Sequence, residues 1–220
     1  MTRTPFADRA AAGRLLARRV AALHLAPPVV VLALPRGGVP VAVEVARALG
    51  APLDLLLVRK VGVPWQPELA LAALVDGEPP ELVIDDEVQR LCGLERPQID
   101  ALAAREQAEL ARRRERYLRG RAPLPLAGAT AVVVDDGIAT GTTMRAALVA
   151  LRRRGPAGLV LAVPVAPQDT LLALRAEVDD IVCLATPQPF RAVGLHYADF
   201  HQVEDAEVLA ALDAARPEPG

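Results

Sequence analysis

Five short apolar runs, at residues 29–34, 53–59, 131–134, 159–163 and 181–184, punctuate the 220-residue chain. Each is too short for a lone helix. Uninterrupted hydrophobicity rich in valine and leucine marks strands buried on both faces. Between them, residues 8–23, 39–49, 98–118, 143–154 and 204–214 carry helical patterns. Gly50 and Gly155 stand where two of these helices should close. Strands alternating with helices imply an α/β fold built on a doubly wound, five-stranded parallel sheet. Ligands of such sheets bind at the carboxyl ends of the strands, where the winding reverses. Residues 60–95 are less regular, with a hairpin expected around 76–80.

Apolar residues make up 52% of the chain and charged residues 24%, enough to bury a core as one domain carrying a small hood or lid subdomain. Residues 1–215 are read as that domain and 216–220 as a loose tail. The net charge of −2 and pI near 6.0 argue against a strongly basic nucleic-acid binder. The apolar runs fall far short of the roughly 20 residues of a membrane span, and the first residues hold no apolar signal core. A soluble, cytoplasmic protein is expected. Cys92 and Cys183 lie far apart in apolar surroundings and read as buried free thiols rather than a disulfide framework.

The sharpest local signal runs from Ala131 to Thr143. A buried strand delivers Asp135 and Asp136 to its carboxyl end, and Gly137, Ala139, Thr140, Gly141, Thr142 and Thr143 then open a helix. A glycine-bearing turn at a helix N-terminus offers backbone N–H groups to a phosphate, and threonine hydroxyls add donors. Paired carboxylates beside it suit a sugar diol or a cation. Phosphate at one end and diol at the other describes a ribose 5-phosphate. Capping alone would explain Asp and Thr singly. The Asp85–Asp86 pair, which also follows an apolar run but lacks glycine and threonine, reads as such a cap.

This string resembles the phosphoribosyl diphosphate (PRPP) motif of the type I phosphoribosyltransferases. The resemblance implies that Asp135 and Asp136 hold the ribose hydroxyls and that residues 139–143 wrap the 5-phosphate. Pro35-Arg36-Gly37-Gly38, after the first strand, resembles the family's pyrophosphate loop. That loop often contains a non-proline cis peptide, here expected before Arg36. Arg59 and Lys60, read as ending the second strand, fall where the family has basic residues beside the pyrophosphate. Lys60 is the only lysine among 24 arginines, and a compact ammonium is not equivalent to a planar guanidinium. Residues 164–167 and 186–200 resemble a group of stand-alone bacterial phosphoribosyltransferase-domain proteins.

The implied activity is transfer of a 5-phosphoribosyl group from PRPP to a small nitrogenous acceptor, a nucleobase in the favoured reading, with pyrophosphate leaving. Arg36, Lys60, Asp135 and Asp136 would serve the chemistry. Mg²⁺ would be held mostly by the substrate, assisted by Asp135 and Asp136. A flexible lid is expected at 61–83, within a lid and crossover-helix region at 60–120, bearing Glu68 as a candidate acid or base. Residues 185–203 form a candidate hood. Hypoxanthine-guanine enzymes carry an acid where this chain has Ala139, which disfavours a 6-oxopurine. Phe190 and Tyr197 could cap an acceptor, although core packing is the favoured reading. A homodimer is possible by analogy. The alternative is a non-catalytic PRPP- or nucleotide-sensing regulator on the same fold. The arginine-rich stretch from Arg112 to Arg121 reads as a solvated helix face rather than an RNA surface.

Overall fold

The structure, a computed structural model, describes residues 6–77, 79–120 and 122–215. The tail at 216–220 and Arg121 lie outside the described residues. Asp8 caps α1 (Arg9–Ala21) by accepting from the Ala11 N–H. Strand β1 (Val29–Ala33) leads into α2 (Gly38–Leu49), closed by Gly50 at φ 59°. β2 (Leu53–Leu55) follows, and then β3 (Val58–Val63), β4 (Gln66–Val75) and β5 (Glu81–Ile84). A short helix α3 (Asp86–Cys92) precedes the long α4 (Arg96–Leu118). The chain then alternates β6 (Thr130–Val134), α5 (Thr142–Arg153), β7 (Gly158–Val165), α6 (Gln168–Leu174), β8 (Asp180–Ala185) and α7 (Asp205–Ala214).

Strands β2-β1-β6-β7-β8 form one sheet, parallel throughout. Alternate residues of each strand enter opposite cores, as a period of two demands. Val31, Ala33, Val132, Val134 and Val160 pack against α1, α2 and α7. Val30, Leu32, Val133, Leu159 and Leu161 pack against α5. Helices thus cover both faces, and the winding reverses between β1 and β6. The doubly wound parallel sheet expected from the five apolar runs is present.

The second expected strand is corrected. Residues 53–59 do not form one strand: β2 ends at Leu55, and β3 starts at Val58 in a different sheet. Leu56 and Leu57, both buried, make the crossing, with the Leu56 N–H bonded to Ala33 and the Leu57 carbonyl accepting from Asp76. The region where a flexible lid is expected, 61–83, contributes to an antiparallel sheet, β3-β4-β5. It is fastened by its own core, in which Val61, Val63 and Leu71 pack on Ile99 and Ala103 of α4. The hairpin expected around 76–80 joins β4 to β5, with Ala72 opposite Ile84.

Asp85 does cap α3, its Oδ1 accepting from the Glu87 and Val88 N–H groups. Cys92 and Cys183 are free and half-buried rather than fully buried. Among the described residues no helix is long and apolar enough to cross a membrane.

Candidate active site

The switch point between β1 and β6 brings the two glycine-bearing loops together. The β1 loop passes through a cis Pro35–Arg36 peptide, the place that the family resemblance indicated, before Gly37 and Gly38 open α2. These glycines are required by proximity. A Cβ on Gly37 would lie 2.1 Å from Asp136 Oδ2, and one on Gly38 would lie 2.8 Å from the Val134 carbonyl. The diglycine therefore lets the first loop lie directly on the acidic pair.

Asp135 Oδ1 accepts from the Asp136 N–H at 2.8 Å. Asp136 Oδ2 receives the Arg9 Nε at 2.7 Å, with both side chains nearly buried. Arg9 is itself fixed twice more: its Nη1 donates to the His201 carbonyl at 2.7 Å, and its guanidinium lies 3.8 Å from the centre of the Phe200 ring. Burial and the neighbouring Asp136 charge push Asp135 well above the ordinary carboxylate range. Burial also raises Asp136, while Arg9 pulls it back down.

Beyond the pair, Ile138 anchors the second loop through its N–H to Val165. Thr170 Oγ1 holds the Ala139 carbonyl at 2.9 Å. Gly141, at φ 78°, turns the chain into α5, whose first residues are Thr142 and Thr143. The first N–H groups of a helix have no intrahelical partner, so this turn aims free donors outward. It borders a cavity of about 280 Å³ lined by Leu34, Pro35, Leu56–Val58, Asp135, Gly137–Met144 and Arg113.

The nominated residues divide. Asp135 and residues 139–143 line the cavity. Asp136 lies immediately behind it, held by Arg9. Pro35 lines the cavity, but Arg36, Gly37 and Gly38 do not; Arg36 is a third exposed, its Nη1 3.6 Å from Asp205 Oδ1. Arg59 and Lys60 do not line the cavity. Arg59 makes two bonds to Glu106, at 2.9 and 2.6 Å, and Lys60 reaches Glu68 at 3.1 Å. Rather than ending a strand of the parallel sheet, they sit inside β3 of the second sheet, each paired with a glutamate. Glu68 is almost fully exposed, with Lys60 as its partner.

Tyr197 packs in the core, the favoured of its two readings. It is buried between Phe6 and Phe200, and its hydroxyl donates to the Asp136 carbonyl. Burial is the main cause that raises its phenol pKa. Phe190 stacks on His196 at 5.5 Å, outside the cavity lining.

Sequence reasoning missed Arg9, Arg113 and Asp205. Arg9 opens an ordinary amphipathic helix, and Arg113 is one of several adjacent arginines. Asp205 sits in a first helical turn where acids are commonplace. None carried a local signal.

Residues 8–199 match the family model described as the phosphoribosyl transferase domain. The chain belongs to the phosphoribosyl transferase domain family. Two Mycobacterium tuberculosis proteins (strains CDC 1551 / Oshkosh and H37Rv), each named "Putative phosphoribosyl transferase", are 52% identical over 210 residues, or 96% of the chain. The chain spans about half the length of these relatives, 47% of each. The crystal structure of TT1426 from Thermus thermophilus superposes with a TM-score of 0.84 at 47% identity, covering 94% of this chain and 97% of that one. Within the phosphoribosyl transferase domain, residues 8–199 run from the capped start of α1 past the β8 end, so the matched region takes in both loops of the site.

Proposed function

We propose that this domain transfers the 5-phosphoribosyl group of PRPP to a small nitrogenous acceptor, with a nucleobase as the favoured class. The observation that carries the reading is the close approach of the diglycine loop to the acidic pair, with Pro35, Asp135 and a helix N-terminus lining one cavity beside it. In the reaction the ribose C1–O bond breaks, pyrophosphate leaves, and the acceptor nitrogen bonds to C1.

The Thr140–Thr143 donors would take the 5-phosphate, and Asp135 and Asp136 would take the ribose hydroxyls as hydrogen-bond acceptors. Arg36 would meet the leaving diphosphate once Asp205 yields it. Charge that develops on a leaving group is best stabilised by donors already in position, and Arg9 and Tyr197 hold Asp136 in place before substrate arrives.

The residues fit Mg²⁺, which favours one or two carboxylates together with substrate phosphates. Asp135 lines the cavity and offers hard oxygen, whereas no group of three metal-ligating side chains occurs among the described residues. Bound with the diphosphate, Mg²⁺ would neutralise charge on the leaving group. Ala139 leaves no acid at that loop position, which supports an acceptor other than a 6-oxopurine.

The test is pyrophosphate release from PRPP with Mg²⁺ against a panel of free bases. Release that requires both PRPP and one base, and that falls about 100-fold or more in Asp136→Asn, is expected. Release unaffected by that change overturns the assigned roles. Tight PRPP binding without turnover on any base assigns the site to a sensor instead.

A further inference from the structure

The cavity that borders the phosphate loop has one cationic side chain in its lining among the described residues, and it comes from an unexpected place. Arg113 lies in the last third of α4, the crossover helix between the two sheets, and reaches the same cavity as Thr140–Thr143 and Pro35. The two basic residues of β3 do not reach it, because Glu106 and Glu68 hold them elsewhere.

Arg113 is only lightly engaged. Its Nε meets Glu109 Oε1 at 3.3 Å, and no hydrogen bond engages its Nη groups among the described residues. Glu109 is already served by Arg112, whose Nε and Nη2 reach its other oxygen at 3.0 and 2.5 Å. Arg113 is therefore dispensable as a partner of Glu109, and its guanidinium has donors to spare.

A second observation aligns Arg113 with the diphosphate loop. Tyr117, one turn further along α4, donates its hydroxyl to Asp205 Oδ1 at 2.5 Å, the same oxygen that Arg36 Nη1 approaches at 3.6 Å. Asp205 thus joins the Arg113 end of α4 to the loop after β1. A planar guanidinium is suited to bidentate binding of a phosphate.

We propose that Arg113 binds the diphosphate of PRPP, pairing with Arg36 across the cavity mouth in place of the β3 cations. The inference rests on the functional reading above and deepens it. It makes the long crossover helix part of the substrate site.

Calorimetric titrations of pyrophosphate, PRPP and ribose 5-phosphate, each with Mg²⁺, test it on the wild type, Arg113→Gln and Arg112→Gln. Arg113→Gln should weaken pyrophosphate and PRPP about tenfold or more, as expected for loss of a charged hydrogen bond. Ribose 5-phosphate should bind within about twofold of wild type. Arg112→Gln, which keeps the cavity lining intact, should match the wild type for all three. Arg113→Gln that binds pyrophosphate like the wild type overturns the inference but leaves the functional reading standing. So does weakening confined to ribose 5-phosphate. A wild-type protein that binds none of the three ligands overturns both.

Discussion

Asp136 is the residue on which the site turns, and its state depends on a partner 127 positions away. A carboxylate this deeply buried is costly unless it is paired. Arg9 supplies the charge, while Phe200 and the His201 carbonyl stop the guanidinium from swinging away. Removing one member of a buried pair leaves the other uncompensated. Arg9→Met should therefore lower stability by about 3 kcal/mol, measured by urea denaturation at neutral pH. The double variant Arg9→Met/Asp136→Asn should recover part of that loss, because a neutral amide needs no countercharge. A double variant no more stable than Arg9→Met would show that packing, not charge, is what Arg9 provides. Asp135, Asp136, Gly37 and Gly38 were legible in the sequence because their meaning is local: a strand end, a tight turn, a helix start. Arg9 was not, since nothing near it in the chain distinguishes it from the other arginines.

At the scale of elements, the joint between the two sheets is the least expected feature. The apolar run at 55–58 carries no mark of where a strand changes partners, because its leucines and valine suit either sheet. The change is enforced from outside. Asp76, at the end of β4, donates its N–H to the Leu57 carbonyl, and its own carbonyl accepts from Arg154 of the α5 C-terminus. Its carboxylate lies 3.4 Å from Arg114 of α4, so one buried residue ties both sheets to two helices.

Burial raises the Asp76 carboxyl above its ordinary 3.8, and Arg114 only partly offsets this. The folded protein therefore binds this proton more tightly than the unfolded chain does. Stability from this group is greatest at acidic pH and declines as pH climbs above about 3.8 through the raised value. Asp76→Asn should flatten that decline, as read from denaturation midpoints at a series of pH values between 4 and 7. A slope equal to the wild type would show that Asp76 titrates normally. The same joint places Arg59 and Lys60 in the second sheet, where Glu106 and Glu68 pair with them.

For the molecule as a whole, the site is closed by segments from opposite ends of the sequence. The segment before α1 and the stretch around 193–203 meet through the Phe6–Tyr197 bridge, and Arg9 and Tyr197 both bond to Asp136 just beyond β6. β6 is the central strand, buried along its whole length, whereas β5 is an edge strand that is only half-buried. Protection against exchange follows such differences. Hydrogen–deuterium exchange should find the β6 amides opening only with global unfolding, and the β5 amides opening sooner. Equal protection of the two would mean that both sheets unfold as one unit.

The sequence by itself determined the alternation of buried strands and helices, the parallel sheet and the two loops at its switch point. Those features rest on hydrophobic period, glycine stereochemistry and helix-end donors, all of which act over a few residues. Only the tertiary structure decided that residues 61–83 make a packed sheet, that Arg9 pairs with Asp136, and that Arg113 rather than Lys60 lines the cavity. These are contacts between residues tens to more than a hundred positions apart. Their energies come from burial and charge pairing, which exist only once the chain has brought those residues together.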